Sequence, residues 1–241
     1  MTWNDQLDWY CERASTAFWA EPVNALSNLA FVIAALLTLR TQSHYGRVPS
    51  SLRWMAPAMA AIGVGSFLFH TLATRWSLVF DIVPIALFLL LYLGTFLRWM
   101  YGLAWGWCGA GVAAFAAFCA AFIVLVGEAV PNRSGTYAPV LLLMIGLTAT
   151  LAASRNESRS QHWRAFAVAS AVFAAAFAAR TLDSSVCAAF SLGTHWLWHS
   201  VNGLLLLLLA RVLIRRWHSL AGPGQLARAT SDGPESQVAR R

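Results

Sequence analysis

The sequence predicts an all-α protein: a seven-transmembrane-helix bundle, N-terminus outside and C-terminus cytoplasmic. Three observations predict it. The 241 residues are 59% apolar and only 11% charged, where an average soluble domain carries about 25% charged residues. The apolar residues come in blocks long enough to cross a bilayer. All 17 basic residues are arginines, gathered at block ends and in the C-terminal tail, as topology signals are.

The first block, about Pro22 to Thr38, follows an acidic segment and has no convincing small-residue cleavage site. It therefore reads as a retained span, not a signal peptide. The second, Trp54 to Ala73, closes on "GVGSFLFH". The third, Leu78 to Leu97, follows the short turn "TRWS". The fourth, Leu103 to Gly127, holds Cys108 and Cys119 as apolar packing residues. The fifth and sixth, Ala138 to Ala153 and Ala165 to Ala179, are short and extend into their flanks or sit among the other helices. The seventh, Thr194 to Ile214, opens on "THWLWHS". Residues 1–220 form one membrane domain. Residues 221–241, rich in Gly, Pro, Ser and Arg, read as a disordered cytoplasmic tail.

Arg40, Arg47, Arg53, Arg98, Arg155, Arg159, Arg164, Arg211, Arg215, Arg216, Arg228, Arg240 and Arg241 fall on one side of these blocks. Only Arg13, Arg75, Arg133 and Arg180 fall on the other. The positive-inside rule makes the first side cytoplasmic. The formal charge of +7 follows from this topology. Without a basic, aromatic surface module it does not indicate nucleic acid. The absence of lysine and the abundance of alanine suggest a GC-rich bacterial genome. The expected location is then the inner membrane, with the outer face toward the periplasm.

Ionisable groups in or beside a span are costly and need an explanation. His70 ends the second block, Asp81 starts the third, and His195 and His199 open the seventh. In the predicted topology all four lie near the outer face. His195 and His199, four apart, share one helix face. Such a pair can hold a zinc ion, and His70 as third ligand would leave a position open for water, as in catalytic zinc sites. The pair alone also suits haem or a metal pathway. Ser66 lies one turn before His70, on the same face. Asp81 could be a fourth ligand, but is better read as the base that takes a proton from water and passes it to a leaving group. Ser66 would then donate a hydrogen bond to a carbonyl oxygen gaining charge. The expected chemistry is metal-assisted hydrolysis of an acyl bond. His44, His162 and His218 sit in loops or the tail and read as interfacial residues.

"GVGSFLFH" followed by Asp81, "GTHWLWHSVNG", and the N-terminal "DWYCER…EPVNALSN" together resemble the alkaline ceramidases, in a superfamily of seven-span hydrolases that includes the adiponectin receptors. The resemblance covers nearly all seven spans. It implies zinc on His70, His195 and His199, with Asp81 as general base and acid and Ser66 at the oxyanion. It also implies hydrolysis of the amide of ceramide, or of a related N-acyl lipid, to a sphingoid base and a fatty acid by attack of a zinc-bound water. It further implies calcium near the N-terminus. Asp8, Glu12 and Glu21, with a backbone carbonyl of Trp9 or Tyr10, are its candidate ligands here. Against that, this chain inserts Tyr10, has Ala14 where an asparagine ligand is expected, and shortens the stretch from Glu12 to Glu21. Cys11 and Cys187 both fall on the oxidising outer side, where a disulfide is permitted, and the resemblance implies that they pair.

Arg180 and Asp183, three apart, read as a local ion pair. Asn24, Ser27 and Asn28 read as interhelical hydrogen bonders. The expected partners are the bilayer and a lipid substrate, with no nucleic acid and no protein partner. A receptor-like member of the superfamily is disfavoured by the short N-terminal segment. A metal or haem transport protein would need ligands at several depths.

Overall fold

The computed structural model describes residues 2–231, with side chains through residue 221. Among the described residues every regular element is a helix. In chain order these are α1 (Pro22–Ser27), α2 (Leu29–His44), α3 (Ser50–Arg53), α4 (Met55–Leu72), α5 (Arg75–Tyr101) and α6 (Trp105–Val126). After 3₁₀ turns at Gly127–Ala129 and Pro131–Thr136 come α7 (Ala138–Ala152), α8 (Glu157–Ser160), α9 (Trp163–Val186) and α10 (His195–Ser231). An isolated bridge joins Gln6 to Thr74.

Among the described residues, six stretches are long and apolar enough to cross a membrane: Pro22–His44, Ser50–Leu72, Arg75–Tyr101, Trp105–Ala129, Glu157–Val186 and His195–Ala221. The chain is therefore a multi-pass integral membrane protein. Its outer surface agrees: Val124 and Leu125 on α6 are 83% and 80% exposed, which an aqueous surface would not favour. The fifth sequence block is α7, with 15 residues. At 1.5 Å per residue it spans about 22 Å, short of a hydrocarbon core of about 30 Å.

The sixth block is longer than its sequence suggests. Arg180 looks like a helix end, yet α9 continues past it to Val186. The guanidinium is buried inside the bundle, not exposed at an interface. It donates to the Tyr10 hydroxyl at 2.8 Å and lies 4.8 Å from the centroid of Tyr137 and 5.6 Å from that of Trp198. The last helix also runs on, to Ser231, past Leu220, where the sequence suggests that order ends. Residues 232–241 of the expected tail lie outside the described residues.

The α4–α5 hairpin positions half the site. Ala73 adopts a left-handed conformation (φ 45°) and its N–H caps Phe69 at 2.7 Å. Thr74 and Ser77 then form a capping box that starts α5. The chain reverses in this one turn, so α4 and α5 pack antiparallel. Pro84 within α5 lacks the N–H that would bond the Phe80 carbonyl. That carbonyl faces Gly65, where any Cβ would collide with it. Glycine at 65 thus lets the two backbones touch beside Ser66 and Asp81. Farther along the bundle, Met55, Met59, Phe96, Phe166 and Ile214 make a close-packed core.

Candidate metal centre

His70 and Ser66 project from the last turns of α4, Asp81 from the second turn of α5, and His195 and His199 from the first turns of α10. All five are buried, the histidines to 2% exposure or less. Each imidazole offers a nitrogen, and these nitrogens lie within 4.8 Å of one another. The ring centroids are 4.5 to 5.1 Å apart.

The neighbours of the rings decide which nitrogens are free. The single proton of the Ser27 hydroxyl goes to the Asn24 carbonyl at 2.7 Å. The hydroxyl must therefore accept from His199 Nδ1–H, 2.8 Å away. This leaves Nε2 of His199 without a proton, 3.5 Å from the Ser66 hydroxyl. An ionised Glu21 carboxylate accepts from His70 Nδ1–H at 2.6 Å. His70 Nε2 is then buried with no partner, as is His195 Nδ1. Buried nitrogens without hydrogen-bond partners are rare and call for a ligand. An all-imidazole donor set suits zinc and its neighbours in the transition series, not calcium or magnesium. A partner on the second ring nitrogen is the usual device for orienting a metal-ligating histidine. The residues present therefore fit a transition-metal ion.

Asp81 stands beside the three-histidine group and is not one of its members. Its carboxyl lies next to the Ser66 hydroxyl, in the electrostatic field of His70 and Arg180. Near these groups an apolar cavity of about 100 Å³ opens between α5, α7, α9 and α10, lined by Phe88, Tyr92, Tyr137, Phe173, Trp198 and Leu205 among others. Phe31, on its wall, also packs edge-on against the His199 ring, with centroids 6.3 Å apart, so this side chain stands between the cavity and the histidines.

The family model for ceramidases matches residues 4–220. The chain belongs to the ceramidase family. No curated protein matches the sequence.

In this chain the N-terminal segment forms a lid of side chains over the histidines. Tyr10 is stacked on His195, with centroids 3.7 Å apart and planes 15° apart; burial pushes its phenol up from the usual range. Cys11 and Cys187 are joined, with Cα atoms 5.1 Å apart, which ties this segment to the loop before α10. Trp9 packs against Phe69 and under Arg133.

The acidic residues are placed differently from the calcium expectation. Asp8 is exposed. Both oxygens of Glu12 accept backbone amides, from Val23 at 2.7 Å and Asn24 at 2.8 Å, and so cap α1. Glu21 pairs with Arg13 as well as with His70. Burial alone would raise its carboxyl, but the hydrogen bonds and charges of His70 and Arg13 outweigh that and hold it below the usual carboxylate range. Among the described residues, Asp8, Glu12 and Glu21 do not gather into a metal-binding group.

Asp183 also differs from the sequence reading. It makes no ion pair with Arg180 among the described residues. Instead its Oδ1 accepts the amides of Thr194 at 2.7 Å and His195 at 2.9 Å, and its Oδ2 that of Cys11 at 3.2 Å. It is a long-range cap for α10 and sets where His195 begins. Gly193 (φ +62°) serves the same contact, because a Cβ there would strike Asp183 Oδ1. Spacing alone pointed to Arg180, since the capped amides lie eleven and twelve residues away. Asp183→Ala leaves three amides without their acceptor, those of Thr194 and His195 at the start of α10 and that of Cys11, and is expected to destabilise the protein by about 3 kcal/mol. Thermal unfolding in detergent measures this.

Of the three polar residues that open the first span, Ser27 crosses to another helix, reaching His199. Asn28 turns its amide back to the Asn24 and Ala25 carbonyls, and the Asn24 amide bonds Glu21 at 3.1 Å. Of the partners of the histidines, Ser27 was legible in sequence as an interhelical hydrogen bonder, which it is, and Glu21 only as a calcium candidate; neither was legible as the partner of an imidazole.

Proposed function

We propose that the chain is a zinc-dependent amidohydrolase that cleaves ceramide or a related N-acyl lipid to a sphingoid base and a free fatty acid. The observation that carries this reading is the buried group of His70, His195 and His199, with Asp81 and Ser66 beside it and an apolar cavity nearby. Three histidine ligands with an open fourth position are the pattern of catalytic zinc. When bound, the ion polarises a carbonyl and brings the pKa of water to about 7.

The residues of the chain do the rest. His70 and His199 present Nε2 because Glu21 and Ser27 hold their Nδ1 protons. Asp81 takes a proton from water as its oxygen adds to the amide carbon. It returns that proton to the nitrogen as the C–N bond breaks, so the amine leaves neutral. The Ser66 hydroxyl donates to the carbonyl oxygen as charge builds there. The apolar cavity takes an acyl tail and excludes water from the reacting amide. The histidines form one group among the described residues, which favours a single reaction centre over a transport path with sites at several depths.

With α7 counted as a short crossing there are seven spans, and the arginine distribution sets the N-terminus outside. The site then opens near the outer leaflet, on the periplasmic side of a bacterial inner membrane. The test is incubation of the purified, zinc-loaded protein with ceramides and other N-acyl lipids of varied chain length, with products identified by mass spectrometry. Release of a fatty acid and an amine from at least one member is expected. Intact lipids across the panel would overturn the proposal.

A further inference from the structure

The N-terminal segment carries a buried cation of its own. Arg13 is 7% exposed. Its Nε pairs with Glu21 Oε1, Nη1 donates to the Ser15 carbonyl at 3.1 Å, and Nη2 donates to the His70 carbonyl at 2.9 Å. One guanidinium thus gathers a carboxylate and two carbonyls from separate stretches of chain. Those are the oxygen types that calcium collects, and calcium needs six to eight of them.

Of the side chains that the resemblance assigns to calcium, Glu12 and Glu21 have their oxygens engaged elsewhere. Glu12 spends both on backbone amides. Glu21 spends one on Arg13 and the other on His70 and Asn24. Asp8 is exposed, and Ala14 has no side-chain oxygen to offer. A divalent ion at Glu21 would also meet the positive guanidinium, inside a buried volume where like charges repel strongly.

We propose that Arg13 is the resident cation of this segment, standing in place of calcium, and that it is a positioning residue for His70. It acts along two routes. Through Glu21 it fixes the carboxylate that holds the His70 Nδ1 proton. Through the His70 carbonyl it fixes the end of α4 from which the ring projects. Loss of Arg13 would leave the Glu21 charge buried and uncompensated, free to turn away from the ring.

The calcium half is tested on the unaltered full-length protein in detergent, by equilibrium dialysis with radioactive calcium and by thermal unfolding with and without millimolar calcium. No bound calcium and no shift in melting temperature are expected. One calcium per chain overturns this half, whatever the fate of the hydrolase reading. The positioning half rests on metal binding by the histidines. Arg13→Gln is expected to weaken zinc about 10- to 100-fold in competition with a chromogenic chelator, the range for partners of metal-ligating histidines. It should also move the ¹⁵N shifts of the His70 ring, which a purely structural role would leave in place. Arg13→Lys keeps the charge but not the planar fork. It gives a smaller fall and serves if the glutamine variant does not fold. Wild-type zinc affinity and unmoved His70 shifts in either folded variant overturn the positioning role.

Discussion

Replacing His199 with alanine is expected to leave the purified protein with little zinc and no measurable amide hydrolysis. His199 supplies one of the three nitrogens that lie within 4.8 Å of one another. Its Nε2 is directed at the common centre because Nδ1–H is held by Ser27. Without it, two protein ligands remain where a catalytic zinc site needs three. Losing only the outer partner of a ligand weakens zinc about 10- to 100-fold, so losing the ligand itself should cost more than about 100-fold. The surrounding contacts give no compensation: the truncated side chain takes away the donor to the Ser27 oxygen and leaves a gap beside Phe31. Metal analysis of the protein after gel filtration decides the matter. A full complement of zinc in this variant would remove the three-histidine reading, and with it the proposed chemistry.

Asp81→Asn should separate metal binding from proton transfer. The amide has the shape of the carboxyl, can keep its neighbour Ser66, and lies outside the three-histidine group. Zinc content is therefore expected to stay at the wild-type level. An amide cannot accept the proton of water or return it to the departing nitrogen. Removal of a general base of this kind slows turnover about 10²- to 10⁴-fold, or about 3 to 5 kcal/mol of barrier. Single-turnover hydrolysis with the best lipid of the panel reads this directly. Unchanged turnover would assign the proton to another group.

Much of the fold was legible because membrane spans are written locally. A helix in lipid must satisfy its own backbone, so length and hydropathy suffice to mark it, and the second, third and fourth blocks match α4, α5 and α6 within a few residues. The sequence misleads where polar residues sit inside the bundle. Arg180 looks like the end of a span, but its charge is housed by the rings of Tyr10, Tyr137 and Trp198, contacts that no local pattern contains. Asp183 has the spacing of an ion-pair partner for Arg180, but amides eleven and twelve residues away compete for it and win.

By itself the sequence determined an all-helical membrane chain, and it singled out the three histidines that the fold brings together. Histidines four apart on one helix must share a face, and charged groups at the edge of a span are too costly to be incidental. Only the tertiary structure decided what stands behind those residues. Glu21 and Ser27 bond Nδ1 of His70 and of His199, Asp183 caps the last helix, and Arg13 pairs with Glu21, a residue that the sequence offered to calcium. The reason is distance along the chain. A helix face is fixed by spacing within a few turns, but the partner of a buried polar group is whatever folding brings within hydrogen-bond reach, and from Ser27 to His199 that crosses 172 residues.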